Sequence, residues 1–322
     1  MNIFIGILVG LFSLIFLITA HEFGHFLAAR KNGVKVVEFG ICFPPRAIAW
    51  VKNPETKKWQ KLPRKDWQKP QDGLIFSLNW LPIGGFCQMD GESAEDDRKA
   101  TFGAASFWQK TKILFAGVAM NWLVAFVILT ILAWTGMPTL VENQFKFDSD
   151  ATTSYDDRFT TPLEINRYTW SAPLVGAVTT VQLTGETFKG VGQLVYNLAS
   201  GVVKQFSPNE TAREEGQESL EEVSESVSGP VGIIGTLFPS FAAAGPTVLA
   251  FLVALISISL ACMNVIPIPA LDGGRWLLIA IYKLRKKPLS KETEEKIVSR
   301  AFMVLLALIA IITILDITKL FQ

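Results

Sequence analysis

The chain has 322 residues and a formal net charge of +1; half of its residues are hydrophobic and only 18% are charged. Soluble domains carry about 25% charged residues, so this composition indicates an integral membrane protein in contact with a lipid bilayer. The balanced charge gives no support for nucleic-acid binding, which needs a strongly basic surface. Four apolar segments exceed the about 20 residues that one bilayer crossing takes, and they lie at about 2–29, 107–134, 248–281 and 301–320.

The first apolar segment contains both histidines of the chain, His21 and His25, in the pattern HExxH with Glu22. On an α-helix, positions i and i+4 share one face, so two imidazoles can take adjacent corners of a zinc tetrahedron while Glu22 lies beside them as catalytic base. A purely structural histidine pair is disfavoured, because imidazole and carboxylate at membrane depth are costly unless they are used. The spacing therefore predicts a zinc hydrolase.

A catalytic zinc normally takes three protein ligands, and Asp272 is the best candidate for the third. It lies in the segment Asn264–Arg275, whose two prolines and two glycines predict an unwound stretch inside the third apolar segment. Irregular backbone at that depth is tolerated where it is buried in protein or lines a wet cavity, and hydrolysis needs such a cavity. Taken alone, Asp272 is equally well explained as an N-cap of a helix that resumes at Gly273. Asp316 is interpreted instead as an interfacial residue beside Lys319.

Basic residues are distributed unevenly among the loops. We count 13 Lys and Arg between Arg30 and Lys99, six between Pro138 and Pro246, and eight between Arg275 and Arg300. Because cytoplasmic loops are enriched in Lys and Arg, the first and third of these stretches are expected in the cytoplasm. The middle stretch and both chain termini are then expected outside.

These observations predict an all-α polytopic membrane protein with four transmembrane helices. Its first part, 1–136, contains the HExxH helix, a cytoplasmic loop and the second helix. An extracytoplasmic insertion at 137–246 separates it from a second part, 247–322, which contains the third and fourth helices. The chain is therefore expected to be a multi-pass integral membrane protein.

Two motifs together resemble those of the site-2 proteases, which are intramembrane zinc metalloproteases, and especially the bacterial sigma-E-regulating group. One is the HExxH of the first helix, and the other is N-x-x-P-x-P-x-L-D-G at 264–273. Further likeness is carried by Val37–Gly40, Leu81–Phe86, Gly117–Asn121 and Ser228–Ile233. The resemblance implies one zinc ion held by His21, His25 and Asp272, with Glu22 as base.

The resemblance also suggests residues that contact the substrate. Asn264, Pro267 and Pro269 are expected to help hold an unwound substrate segment, and Leu81–Met89, which includes Gly84 and Gly85, is expected to form a re-entrant β-hairpin. An unwound substrate needs new backbone partners, and an exposed strand edge supplies them; the alternative is a hairpin that only packs. Asn121 either bonds substrate backbone or holds helices together.

The chain departs from the family in its insertion. Relatives commonly carry one or two PDZ domains between the second and third helices, and we recognise none here. The sequence instead predicts an exposed linker at Asp148–Asp157, helices lying on the outer membrane surface at Thr169–Phe206, and a solvated face or linker at Glu214–Ser228. Substrate filtering by a PDZ domain is then absent or supplied by an accessory protein.

The sequence thus predicts an intramembrane zinc endopeptidase. Expected substrates are transmembrane segments of single-span proteins, such as anti-sigma factors, or remnant signal peptides. One alternative is a non-catalytic zinc-binding scaffold, which would not need Glu22. Another is a metal-dependent transporter, which would need a polar path across the membrane, although 301–315 is uniformly apolar.

Overall fold

The computed structural model describes residues 3–69, 71–92, 98–138, 152–156, 163–226 and 229–320. Its helices are α1 Ile3–Lys31, α2 Phe107–Thr135, α3 Ala172–Gln205, α4 Glu210–Ser226, α5 Pro230–Gly232, α6 Phe238–Ala244, α7 Pro246–Val265, α8 Asp272–Leu284 and α9 Lys291–Leu320. Its strands are β1 Val36–Lys52, β2 Trp59–Lys61, β3 Ile75–Met89, β4 Met137–Pro138, β5 Thr152–Asp156 and β6 Leu163–Arg167. A 3₁₀ turn lies at Arg64–Asp66, and a π-helical turn at Ile233–Leu237 joins α5 to α6.

Four helices, α1, α2, α7 and α9, are long and apolar enough to cross a membrane, as the sequence predicts. One helix boundary differs from the prediction. The third apolar segment is divided as the sequence predicts: its first helix ends at Val265, because prolines at 267 and 269 cannot donate backbone hydrogen bonds. The fourth spanning helix begins at Lys291 and not near Ala301, because the charged residues before Ala301 are good helix formers.

The stretch between α7 and α8, residues 266–271, is irregular, in agreement with the predicted unwinding. Two glycines allow the start of α8 to lie against this stretch. A Cβ atom on Gly273 would overlap the backbone carbonyl of Val265, and one on Gly274 would overlap that of Ile268. The glycines therefore fix how closely the first turn of α8, where Asp272 lies, approaches the end of α7.

The structure contains more sheet than the all-α prediction allowed. Strands β1, β2 and β3 form an antiparallel sheet in the order β2-β1-β3. Both long strands bend, so residues 36–41 of β1 pair with 85–89 of β3, and residues 38–41 also pair with 75–78. The segment 81–89, expected as a hairpin of its own, is thus part of a long strand paired with β1. Its proline and two glycines disfavour strands, so the pairing depends on contacts distant in sequence.

A buried ion pair lies inside this sheet. Glu38 is 3% exposed; its carboxylate accepts hydrogen bonds from the Arg46 guanidinium and, at 2.6 Å, from the Ser77 hydroxyl. Arg46 also donates to the backbone carbonyl of Trp67. A buried carboxylate is tolerated only when paired and hydrogen-bonded, so these contacts tie β1 to β3 and to the segment after β2.

The insertion differs from its prediction in one place. Thr152–Asp156, expected within a linker, is a strand that pairs with β6, and the rest of that expected linker lies outside the described residues. Residues 214–226, expected as a solvated face or linker, belong to the acidic and largely exposed helix α4, which fits a solvated face. Outside the insertion, Asp316 of α9 is 5% exposed; it accepts backbone N–H groups of Gly229 and Gly232 at 3.2 and 2.8 Å.

The chain divides into two compact units, each with its own core. We call Leu11–Val124 with Met263–Val304 the HExxH unit, and Met1–Gly10, Ala125–Cys262 and Leu305–Gln322 the insertion unit. The core of the HExxH unit includes Phe26, Phe39, Phe102, Ile113 and Leu278. The core of the insertion unit includes Leu129, Tyr168, Val175, Phe251 and Ile258.

Candidate active site

The two histidines lie on successive turns of α1, as their spacing predicts. His21 and His25 are 7% and 6% exposed, and their Nε2 atoms are 3.1 Å apart. Both rings thus present the same nitrogen to one small region of the HExxH unit. Helical periodicity alone produces this convergence.

Asp272, the first residue of α8, lies at the same point. Its Oδ2 atom is 3.0 Å from Nε2 of His21 and 3.3 Å from Nε2 of His25. A tetrahedral zinc with bonds of about 2.0–2.1 Å separates its ligand atoms by about 3.3 Å. The triangle formed by the two nitrogens and the oxygen therefore has the size that a zinc site requires, and its donors are those that zinc prefers.

Glu22 lies beside this triangle. Ligand atoms of His21, Glu22 and His25 all lie within 4.8 Å of one another. The Glu22 carboxylate is hydrogen-bonded by the backbone of Cys87 on β3. A carboxylate held next to a metal site is placed to accept a proton from a water molecule.

The other nitrogens of both rings have protein partners on α2. Nδ1 of His25 donates to the backbone carbonyl of Ile113 at 2.8 Å. This bond keeps the proton on Nδ1, so Nε2 presents its lone pair to a metal. Nδ1 of His21 lies 3.4 Å from the side-chain amide of Asn121. Because amide nitrogen and oxygen are assigned and not observed, the Asn121 oxygen is the natural acceptor when His21 binds a metal through Nε2.

Two glycines allow α1 and α2 to approach each other at the histidines. A Cβ atom on Gly117 of α2 would lie 2.7 Å from Nε2 of His21, and one on Gly24 would overlap the backbone carbonyl of Ala116. The sequence analysis named Gly117 only as part of the segment Gly117–Asn121 and predicted no role for it. The available signal was a glycine inside an apolar helix, where it costs about 1 kcal/mol relative to alanine.

A cavity of about 450 Å³ opens onto the histidines, Glu22 and Asp272. One of its walls is the last part of β3, Phe86–Met89, and another is formed by Asn264 and Ala270–Leu271. Among the residues that the structure describes, 85–89 pair with β1 on one side and with no strand on the other. The cavity therefore places an end strand of the sheet beside the candidate metal ligands.

Of the predicted substrate-binding residues, Asn264 lines this cavity, and Pro269 lines a neighbouring cavity of about 530 Å³ that shares Asp272. Pro267 lies exposed in the irregular stretch after α7 and lines neither cavity. Gly84, with a φ of +76°, lies just before the strand segment that lines the cavity. Gly85 is close to Glu22, since its Cβ would lie 3.8 Å from the Glu22 Cγ. Asn121 is fully buried and faces His21.

Cys87 is the nearest thiol to the site, and its chemistry keeps it protonated. Burial raises the pKa of the Cys87 thiol well above its usual range, and the negative charges of Glu22 and Glu92 raise it further. A thiol must lose its proton to bind zinc. The backbone of Cys87, which holds Glu22, is therefore the part of this residue that contributes to the site.

The comparisons with known proteins agree with this geometry. Residues 9–309 match the family described as peptidase family M50. A protein of Clostridium perfringens, provisionally named a zinc metalloprotease, is 26% identical over 94% of this chain and 95% of its own length. The zinc metalloprotease RasP of Bacillus licheniformis is 25% identical over 96% and 98%, and the regulator of sigma-W protease RasP of Bacillus subtilis is 23% identical over 95% and 96%. The chain belongs to peptidase family M50, the site-2 protease family, and is a membrane zinc metalloprotease.

Proposed function

We propose that this protein is an intramembrane endopeptidase that hydrolyses peptide bonds within transmembrane segments of single-span membrane proteins. The observation that carries the proposal is the triangle of His21, His25 and Asp272, with Glu22 beside it, at the bottom of a cavity walled by a strand. A scaffold that only stored zinc would need neither a carboxylate base nor an open cavity for a peptide.

In this proposal, His21, His25 and Asp272 hold one zinc ion and Glu22 transfers protons. Zinc bound there would supply Lewis-acid chemistry, which favours attack by water on the scissile carbonyl. Glu22 accepts a proton from the attacking water and later gives it to the amine that leaves. The oxygen of that water becomes part of the new carboxyl group, and the reaction needs no reactant besides water and the peptide.

The substrate is proposed to lie along the end strand formed by residues 85–89. A transmembrane helix satisfies its backbone internally, so it must unwind before hydrolysis, and a strand edge offers replacement hydrogen bonds. The bend at Gly84 and Gly85 lets this strand lie beside Glu22. Asn264, Pro267 and Pro269 would hold the other side of the unwound segment. Asn121 is better placed to orient His21 than to contact substrate.

The sheet of the HExxH unit is proposed to enter the membrane at its apolar tip. The tip exposes Phe43 (42%), Trp80 (67%) and Leu81 (50%), and contiguous exposed apolar groups of this kind mark a membrane or protein contact. A re-entrant tip of this kind supports the strand edge at the depth of the spanning helices. Together with the basic loops, it favours cleavage near the cytoplasmic side and chain termini outside, in a bacterial inner membrane.

Helices α3 and α4 are proposed to lie on the outer membrane surface as part of an extracytoplasmic insertion spanning 137–246. Helix α4 is acidic and packs on α3 through Gly201 and Leu220 and through a Lys204–Glu215 ion pair at 2.9 Å. Elsewhere α3 exposes Val181, Phe188 and Val203. A helix pair with one charged and one apolar side fits the boundary between water and lipid. An accessory protein could then take the role of a PDZ domain.

The proposed substrates are membrane-anchored regulators of the anti-sigma-factor type, or remnant signal peptides. The support for a regulator is the name of the Bacillus subtilis relative, regulator of sigma-W protease. Both substrate types are single apolar helices, which the cavity accepts only after local unwinding. This choice is an analogy between relatives and not a consequence of the site's geometry.

The proposal is tested with the full-length protein in detergent, as wild type, as Glu22→Gln and as the control Glu55→Gln, whose carboxylate is exposed on the β1–β2 loop. Each is assayed for bound zinc and for cleavage of a single-span test protein. We expect about one zinc in all three, chelator-sensitive cleavage in the wild type and the control, and a loss of about 10²–10⁴-fold in Glu22→Gln. Full activity of Glu22→Gln would remove Glu22 from the mechanism, and zinc-free wild type would remove the metal site.

A further inference from the structure

Arg275 lies one turn after Asp272 on α8 and contacts three separate parts of the HExxH unit. Its Nε donates to the Glu294 carboxylate at 3.1 Å, and its Nη2 donates to the backbone carbonyl of Glu92. Its guanidinium also lies 4.9 Å from the centre of the Phe102 ring. The side chains of Arg275 and Glu294 are 22% and 5% exposed. Charges this well covered must be paired, so these contacts belong to the interior of the unit.

The contact with Glu92 connects Arg275 to the strand that walls the cavity. The carbonyl of Glu92 accepts from Arg275, and the Glu92 carboxylate accepts from the backbone N–H of Met89 at 2.8 Å. Met89 is the last residue of β3 and lines the cavity. Glu92 thus occupies a backbone donor at the end of the proposed substrate strand, and Arg275 holds Glu92 in place.

The contact with Glu294 connects the same guanidinium to the last spanning helix. Glu294 lies in the first turn of α9. The next residue on α8, Trp276, donates from Nε1 to the Thr111 hydroxyl of α2 at 2.9 Å. The first turn of α8, where Asp272 lies, is therefore fixed to both α2 and α9 by side chains three and four residues after Asp272.

An arginine suits this position better than a lysine. The guanidinium donates in several directions within one plane and stacks on an aromatic face, whereas a lysine ammonium is a single point charge. The nearby Lys110 is already committed, since its Nζ donates to the Gly103 carbonyl at 2.7 Å. Arg275 is thus the group that joins Glu92, Glu294 and the ring of Phe102.

We propose that Arg275 is a positioning residue for the reaction: it fixes Asp272 and the cavity-facing end of β3 relative to each other, with Glu294 of α9 as its counter-charge. The inference rests on the proposed function, because it assigns the support of the same site. Arg275 acts through Asp272 and Glu92, so its loss should change both zinc affinity and substrate binding.

The test compares Arg275→Met, Arg275→Lys and Glu294→Gln with a matched control, Arg285→Met, which removes an exposed arginine at the end of the same helix. Zinc affinity is measured by chelator competition on the full-length protein, and kcat and KM are measured with a single-span substrate. We expect Arg275→Met to lower zinc affinity by about 10–100-fold, as loss of a residue that supports a ligand does. Arg275→Lys should keep most of the zinc affinity and raise KM, because it keeps the charge and loses the bond to Glu92.

The outcomes separate this inference from the proposed function. If wild type and control bind zinc and cleave, and Arg275→Met matches them in zinc affinity, kcat and KM, the positioning role is overturned while the proposed function stands. If Arg275→Met lowers thermal stability and changes nothing else, the positioning role is likewise overturned while the proposed function stands. If Arg275→Met does not fold, unchanged zinc affinity and KM in both Arg275→Lys and Glu294→Gln overturn the inference. If the wild type neither binds zinc nor cleaves, the proposed function falls and this inference with it.

Discussion

Two aspartates of this protein, one in each unit, are largely shielded from solvent, and their partners differ. In the HExxH unit, Asp272 faces two imidazole nitrogens at 3.0 and 3.3 Å. In the insertion unit, Asp316 accepts two backbone N–H groups, from Gly229 and Gly232, at the start of α5. The first arrangement can hold a cation, whereas the second satisfies donors that a helix start leaves unpaired. The role of a shielded carboxylate therefore has to be inferred from the groups that it contacts and not from its position in the sequence.

The largest expected effect comes from removing each carboxylate in turn. Asp272→Ala deletes one of three proposed ligands, so we expect loss of bound zinc and loss of cleavage. Zinc affinity should fall by more than the about 10–100-fold that is lost when a residue supporting a ligand is removed. Asp316→Ala should leave zinc binding unchanged. Both expectations are checked by measuring the zinc content and zinc affinity of the two purified variants. Equal zinc binding in the two variants would mean that Asp272 is not a ligand and would abolish the contrast.

The second comparison uses one glycine from each unit. A Cβ on Gly117 would lie 2.7 Å from Nε2 of His21, and a Cβ on Gly176 would lie 2.9 Å from the Cα of Thr130. Both alanine variants should be destabilised by about 1–3 kcal/mol through overpacking. Only Gly117→Ala should lower zinc affinity, by about 10–100-fold, because it displaces a ligand. Thermal unfolding and chelator competition separate the two effects, and a similar loss of zinc affinity in Gly176→Ala would contradict the assignment.

A smaller effect is expected from Asp316→Asn, which keeps the shape of the side chain and removes its charge. Hydrogen bonds to a charged acceptor contribute about 1.5–3 kcal/mol, and neutral ones about 0.5–1.5 kcal/mol. We therefore expect a loss of about 1 kcal/mol in unfolding free energy with kcat unchanged, measured by denaturation and by the cleavage assay. A fall in kcat with unaltered stability would indicate that Asp316 contributes to activity and not to the start of α5.

The sequence predicted the parts of this structure that depend on local periodicity. The convergence of His21 and His25 requires only a helix, and the break after Val265 requires only the prolines at 267 and 269. The sequence did not predict the long pairing of β1 with β3, or the approach of Gly117 to the histidines. Those features depend on contacts between residues far apart in the chain. Because the apolar composition indicated a helical membrane protein, the sequence prediction also contained too few β-strands.

The same dependence on contacts far apart in the chain explains what the sequence could predict about the two aspartates. Elimination among acids pointed to Asp272, and the structure brings it to the histidines, but its role as a ligand stays a prediction. Asp316 was expected at the interface because Lys319 follows it in sequence. Its partners, Gly229 and Gly232, come from a segment more than eighty residues earlier. Helical periodicity and hydropathy contain no information about such a contact.

The smallest expected effect concerns the surface of α3 and sharpens the contrast within the insertion unit. In the described part of the chain, no atom lies within 4 Å of a Cβ built on Gly185, whereas a Cβ on Gly201 would lie 2.8 Å from the Leu220 side chain on α4. Gly185→Ala should therefore stabilise α3 by about 0.5–1 kcal/mol, because alanine favours helix, and Gly201→Ala should destabilise the α3–α4 pair. Thermal unfolding in detergent and in lipid bilayers measures both. If lipid covers the face around Gly185, the added methyl is tolerated in both media. If another helix packs closely there, Gly185→Ala becomes destabilising in the bilayer, and the membrane-surface placement of α3 is wrong.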